Sequence, residues 1–90
     1  MQKTTVVYTE RSRKDLLRIP KIFARKIILK VRENADMDNP LVRAKTLEGA
    51  FAGLYRYRVQ DYRVIFEIDV AGNISLLTVL AIGHRKDVYK

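Results

Sequence analysis

Cysteine is absent, tryptophan is absent, and proline occurs only twice in the 90 residues. Without a thiol there is neither a disulfide framework nor a thiolate metal site, and the single histidine, His84, cannot build a zinc centre alone. No metal or other cofactor is therefore expected, and a reducing cytoplasm is the expected compartment. Long apolar runs are also missing. The opening residues pass from Lys3 straight into Thr4, Thr5, Val6, Val7 and Tyr8, with neither the apolar stretch of a signal peptide nor the length needed to span a bilayer. Acidic residues are few. Ten Asp and Glu stand against eighteen Lys and Arg, a formal net charge of +8, so a polyanionic partner is expected.

What is present suits a folded chain. Hydrophobic residues make up 48% of it and recur in patterns, enough for one compact domain spanning 1–90 and too little for a second core. The β-branched and aromatic run around Val6, Val7 and Tyr8 predicts a first strand between Lys3 and Thr9. Thr9 or Ser12 can cap a short helix carrying Asp15, Leu16, Leu17 and Ile19, which stops before Pro20 because a residue preceding proline avoids helical geometry. Pro20 suits the first turn of a second helix. There Phe23, Ala24, Ile27, Ile28, Val31 and Ala35 recur every three or four residues, an apolar stripe to lay on something apolar. Asn34 to Pro40 reads as its exit loop, and Gly49 and Gly53 punctuate the way into the next strand.

From Leu54 the pattern turns to strands, 54–59, 62–69 and 74–82, separated by turns at Gln60-Asp61 and Ala71-Gly72-Asn73. The predicted fold is α+β: a strand, a two-helix hairpin, then a three-stranded antiparallel meander in a twisted sheet, with the first strand added at an edge. A two-residue turn at Gln60-Asp61 sets a register in which Arg58 faces Arg63 and Arg56 faces Ile65. Tyr55, Tyr57, Val59, Tyr62, Val64, Phe66 and Ile68 then form the core face. Arg56, Arg58, Arg63, Ile65 and Glu67 share the other. Like charges directly opposite cost some tenths of a kcal/mol, which an anion would relieve, and arginine meets phosphate oxygens in a bidentate way.

The run Gly53-Leu54-Tyr55-Arg56-Tyr57-Arg58-Val59-Gln60-Asp61-Tyr62-Arg63-Val64-Ile65-Phe66, then Gly83-His84-Arg85-Lys86-Asp87-Val88-Tyr89, with Lys45-Thr46-Leu47-Glu48-Gly49 upstream, resembles the RelE branch of the RelE/ParE toxin superfamily. The likeness extends over essentially the whole chain. It implies a toxin of a type II toxin–antitoxin system, an endoribonuclease cleaving mRNA in the ribosomal A site by attack of a ribose 2′-hydroxyl on the adjacent phosphate. It also implies an acidic, helical, RelB-like antitoxin. By the same resemblance Arg56 and Arg58 sit near the scissile phosphate, Arg63 stabilises the phosphorane-like transition state, Arg85 lies near the leaving group, and Tyr89 stacks on or orients a base. Two departures stand out. Some relatives carry lysine where this chain has Arg56 and Arg58, and a guanidinium is a poor base, so the base is unassigned and His84 is a candidate acid or base. Gln60 replaces the glycine that relatives often have in the turn. The rival expectation is the ParE branch, which resembles this fold but inhibits DNA gyrase by protein binding.

Overall fold

The computed structural model describes residues 4–84, the side chain of Asn73 apart. The elements run β1 (Thr5–Tyr8), α1 (Glu10–Arg18), α2 (Lys21–Ala35), β2 (Lys45–Thr46), a 3-10 turn (Gly49–Phe51), β3 (Tyr55–Val59), β4 (Tyr62–Ala71) and β5 (Asn73–His84). The α+β architecture expected from the sequence is present. The sheet has five strands in the order β1-β5-β4-β3-β2, with β1 parallel to β5 at one edge and the meander antiparallel. β2 was not expected. At two residues it is too short to show any alternation, and it pairs only Lys45 with Arg56 and Thr46 with Tyr55.

Local chemistry explains the helix boundaries. Thr9 caps α1, its hydroxyl oxygen accepting from the Ser12 amide at 3.2 Å, while the Ser12 hydroxyl donates back to the Thr9 carbonyl at 2.9 Å. Ile19 before Pro20 is extended, which ends α1. Pro20 is itself the N-cap of α2, one position earlier than expected.

The helices cover one sheet face. Ile27, Val31 and Ala35 of α2 pack on Tyr57, Val59, Val64, Phe66, Leu77, Val79 and Ile82, with Tyr55, Tyr62 and Ile68 against the same cluster. The face assignment drawn from the turn is thus observed residue by residue. Ile28, expected on the buried stripe, is instead exposed, because the face centred on Ile27, Val31 and Ala35 leaves it turned away from the sheet. Tyr57 lies flat on Phe66 with centroids 4.3 Å apart, and its hydroxyl donates to the Pro40 carbonyl at 2.6 Å, tying the exit loop of α2 to the core.

Burial pushes the Tyr57 phenol up to about 12 from its ordinary 10.0. The folded state keeps this proton where the unfolded chain has begun to lose it, so the associated stability is whole below pH 10.0 and lost as pH rises toward about 12. Tyr57→Phe is expected to cost about 1 kcal/mol at neutral pH through the lost hydrogen bond. Thermal melts across the alkaline range should show a shallower decline for the variant than for the parent.

The β3–β4 turn has the expected register, with Val59 opposite Tyr62, Arg58 opposite Arg63, Tyr57 opposite Val64 and Arg56 opposite Ile65. Gln60 achieves this at a φ of 55°, in the left-handed region that suits glycine better. Gln60→Gly is expected to raise stability by about 0.5–1 kcal/mol, read from the urea midpoint, with no change in register.

Along β4 and β5 the register slips twice, between Asp69–Leu76 and Val70–Ile74 near the β4–β5 turn and between Ile65–Ala81 and Phe66–Val79, where Leu80 is left as an extra residue in β5. The bulge reverses the alternation of β5. Leu77 and Val79 point into the core before it, and Ile82 does so after it. The backbone groups it frees are met by α1 and its cap. The Thr9 hydroxyl donates to the Leu80 carbonyl at 3.1 Å, and the Asp15 carboxylate accepts from the Ile82 amide at 2.9 Å.

Candidate anion-binding site on the open sheet face

Among the described residues the face away from the helices is only partly covered. Leu47 and Leu54 pack on Ile65 and Ala81 there. The loop between them folds back through positive φ at Gly49 and Gly53, closed by the Leu47 amide on the Leu54 carbonyl at 3.0 Å. Beside this small apolar patch stand the arginines. Arg56 on β3 is flanked by Ile65 on β4 and by Lys45 on β2. Arg58 directly faces Arg63, a pairing that brings Cβ atoms to about 4.5–5.5 Å in antiparallel sheets.

The three guanidiniums are not equally free. Arg58 is exposed, and its Nε donates to the Gln60 carbonyl at 3.0 Å, which holds the side chain over the turn. Arg63 is half-buried, and its buried Nε has no hydrogen-bond partner among the described residues. A buried unmet donor costs about 1–3 kcal/mol, so this one is poised for an acceptor. The residue opposite Arg63 on β5 is Gly83, and the one opposite Ile65 is Ala81. Neither of these two residues carries more than a methyl group as its side chain.

Of the residues singled out in the sequence, Arg56, Arg58 and Arg63 are thus brought together. His84 is not. It pairs with Tyr62, which belongs to the helix-side cluster, and the His84 ring meets the Tyr62 ring edge-on at 6.0 Å, with Phe23 of α2 at 5.7 Å on Tyr62. The bulge at Leu80 is the cause. Without the extra residue, alternation would turn His84 to the arginine face. Arg85 and Tyr89 lie outside the described residues. Lys45 was missed as a site residue, although its segment was noted. Only the two-residue ladder of β2 places it beside Arg56, and periodicity cannot reveal so short an element.

Chemically, the face concentrates positive charge around a spot lined by small side chains. Guanidiniums stay protonated, so these arginines can bind and stabilise a phosphodiester as it gains charge, and their part is electrostatic. Among the described residues no cluster of His, Cys, Asp and Glu suits a metal, and no helix is long and apolar enough to cross a membrane.

Comparison with known proteins places this architecture. Residues 6–89 match the family model described as ParE toxin of type II toxin-antitoxin system, parDE, and the chain belongs to that family within the RelE/ParE superfamily. It is a toxin of the type II class with a RelE-like fold. The chain is similar to the RelBE2 toxin–antitoxin complex of Mycobacterium tuberculosis, at 26% identity, 97% coverage of each chain and a TM-score of 0.81. It is also similar to the archaeal RelE–RelB complex of Pyrococcus horikoshii, at 27% identity, covering 97% of this chain and 100% of that one, with a TM-score of 0.70. The YoeB/ParE toxin of Agrobacterium tumefaciens, at 21% identity, 94% and 99% coverage and a TM-score of 0.68, shares the fold. The comparison with curated proteins returned no match.

Proposed function

We propose that this toxin is an endoribonuclease that cleaves mRNA in the ribosomal A site, in the cytoplasm, and is held inactive by a cognate acidic, RelB-like antitoxin. The carrying observation is the direct cross-strand pairing of Arg58 with Arg63, the latter with an unmet buried Nε, on the sheet face away from the helices. Two like charges opposite one another work against the fold. A phosphate between them reverses the sign of that interaction.

In the proposed reaction the 2′-hydroxyl attacks the adjacent phosphorus and the 5′-oxygen of the next nucleotide leaves. Arg56 and Arg58 hold the scissile phosphate in line for that attack. Arg63 supports the added negative charge on the phosphorane, where preorganised donors have their largest effect. Arg85, two residues beyond Gly83 in sequence, is assigned to the leaving oxygen, and Tyr89 to stacking on the substrate base. His84, on the helix side of the sheet, takes no part in this scheme. His84→Gln is expected to keep cleavage within about threefold of the parent, since general acid–base groups are worth about 10²–10⁴. A loss in that larger range would return His84 to the mechanism.

A second reading has its own support, because the matching family model carries the ParE description. It makes the chain an inhibitor of DNA gyrase without nuclease activity. A coupled pair of assays separates the two. Arrested translation with shortened message supports the nuclease, and blocked supercoiling with intact message supports the rival.

A further inference from the structure

The open sheet face carries a second pair of like charges. Lys45 of β2 is directly opposite Arg56 of β3, as Arg58 of β3 is directly opposite Arg63 of β4. Residues opposite one another share a face, and so do residues two apart along a strand, so both pairs look out on the same side. Two residues of strand span about 6.6–6.8 Å, and neighbouring strands lie about 4.7–4.9 Å apart. One sugar–phosphate unit of a single strand bridges a gap of that size when a basic surface tracks its backbone.

Charge compensation differs between the two sides of the molecule. On the helix side Glu10 pairs with Lys14 at 3.3 Å, Glu33 with Lys30 at 3.5 Å and Asp36 with Arg32 at 2.7 Å. On the open face no carboxylate comes within ion-pair distance of Lys45, Arg56, Arg58 or Arg63 among the described residues. Beyond Ile65 the same face carries Leu54, whose carbonyl accepts from the Leu47 amide, and then the exposed acid Glu67. That border is apolar and then negative, so a polyanion leaving the Arg58–Arg63 pair is turned across the strands toward Lys45. The kinds of cation also differ. Planar guanidinium forks fix a phosphate in one orientation, whereas an ammonium on a flexible stem is a point charge that holds one without orienting it. Lys45, exposed at the edge of the sheet, suits a phosphate bound for affinity alone.

We propose that Lys45, with Arg56 beside it, forms a second phosphate subsite that holds the phosphate adjoining the scissile one. The sheet face then grips two consecutive linkages of a single RNA strand, one between Arg58 and Arg63 and the next at Lys45. This rests on the reading of the open face as an RNA site, but its test does not require cleavage.

The probes are 2′-O-methyl UpU and UpUpU with hydroxyl ends, one phosphate against two, titrated into the isotope-labelled protein and followed by the amide NMR signals of β2 and β3. The trinucleotide is expected to bind the parent about five- to tenfold more tightly than the dinucleotide. A trinucleotide with one linkage replaced by an uncharged methylphosphonate should lose that gain. Lys45→Gln should abolish the gain while leaving dinucleotide affinity within about twofold, and should lower the salt slope for the trinucleotide by about 0.7. Lys45→Arg should keep the gain, which separates a lost charge from a disturbed edge strand. Lys21→Gln, an exposed lysine on the helix side, should also keep it. A gain that survives in Lys45→Gln overturns the subsite. So do equal losses of both ligands in that variant, which would place Lys45 at the first phosphate, and an equal erosion of the gain in Lys21→Gln, which would reduce the effect to net charge. Failure of the parent to bind either oligonucleotide overturns the subsite together with the RNA reading of the face. Message cleaved by the parent without a Lys45-dependent gain would sink the subsite alone, and a Lys45-dependent gain without cleavage would sink the nuclease reading alone.

Discussion

Arg63→Ala is expected to lower RNA cleavage by about 10²–10³ in kcat, the range seen when one preorganised donor to a developing oxyanion is removed. The half-buried Arg63 has a Nε with no other acceptor among the described residues, so little of its interaction is spent before substrate arrives. Stability should move the other way. The substitution removes a like-charge pair with Arg58 and a buried unmet donor, so the melting temperature is expected to hold or rise while activity collapses. That opposition separates a catalytic arginine from a structural one, for which both quantities would fall together. Arg63→Lys should recover only part of the rate, because an ammonium lacks the planar fork that meets two phosphate oxygens at once. Single-turnover cleavage alongside thermal denaturation reads both quantities.

Phe66→Ala is expected to cost about 3–5 kcal/mol, most of the stability of a small domain. Phe66 is 0% exposed, stacks on Tyr57 at 4.3 Å and on Tyr55 at 5.8 Å, and sits on the first β4 pair beyond the bulge. Removing the ring empties the centre of the cluster that α2 covers. Equilibrium urea unfolding should show the loss, and the variant should lose both growth arrest and RNA binding although no arginine is substituted. Leu29→Ala, at an exposed position, provides the contrast, with a stability change within about 0.5 kcal/mol.

Much of this arrangement was legible before any coordinates. The Gln60-Asp61 turn fixed one register, and a period of two then sorted the twelve positions 55–59 and 62–68 of β3 and β4 onto two faces, because strand geometry leaves no intermediate choice. That is why Arg56, Arg58 and Arg63 could be placed together, and the glutamine in the turn proved compatible with the register at a positive φ. What was not legible arose where periodicity carries no information. Leu80, Ala81 and Ile82 are all apolar, so nothing in them announces the bulge that turns His84 to the helix side; its cause lies in backbone groups satisfied from Thr9 and Asp15, far away in sequence. Lys45 belongs to a strand of two residues. Ile28 fits the helical period as well as Ile27 does, and only the placement of α2 over the sheet separates them. The expected roles of Arg85 and Tyr89 fall outside the described residues.

The central claim is that guanidiniums on the open sheet face drive cleavage of RNA through its own 2′-hydroxyl. The most direct test incubates the purified protein, and its Arg58→Ala/Arg63→Ala variant, with translating ribosomes and sequences the RNA ends by a method specific for 2′,3′-cyclic phosphates. The account predicts such ends, paired with 5′-hydroxyl ends and phased to the codon, for the parent, and their reduction by at least about 10²-fold in the variant. Cleavage that survives in the double variant, or message that stays intact while the parent protein still arrests growth, would contradict it.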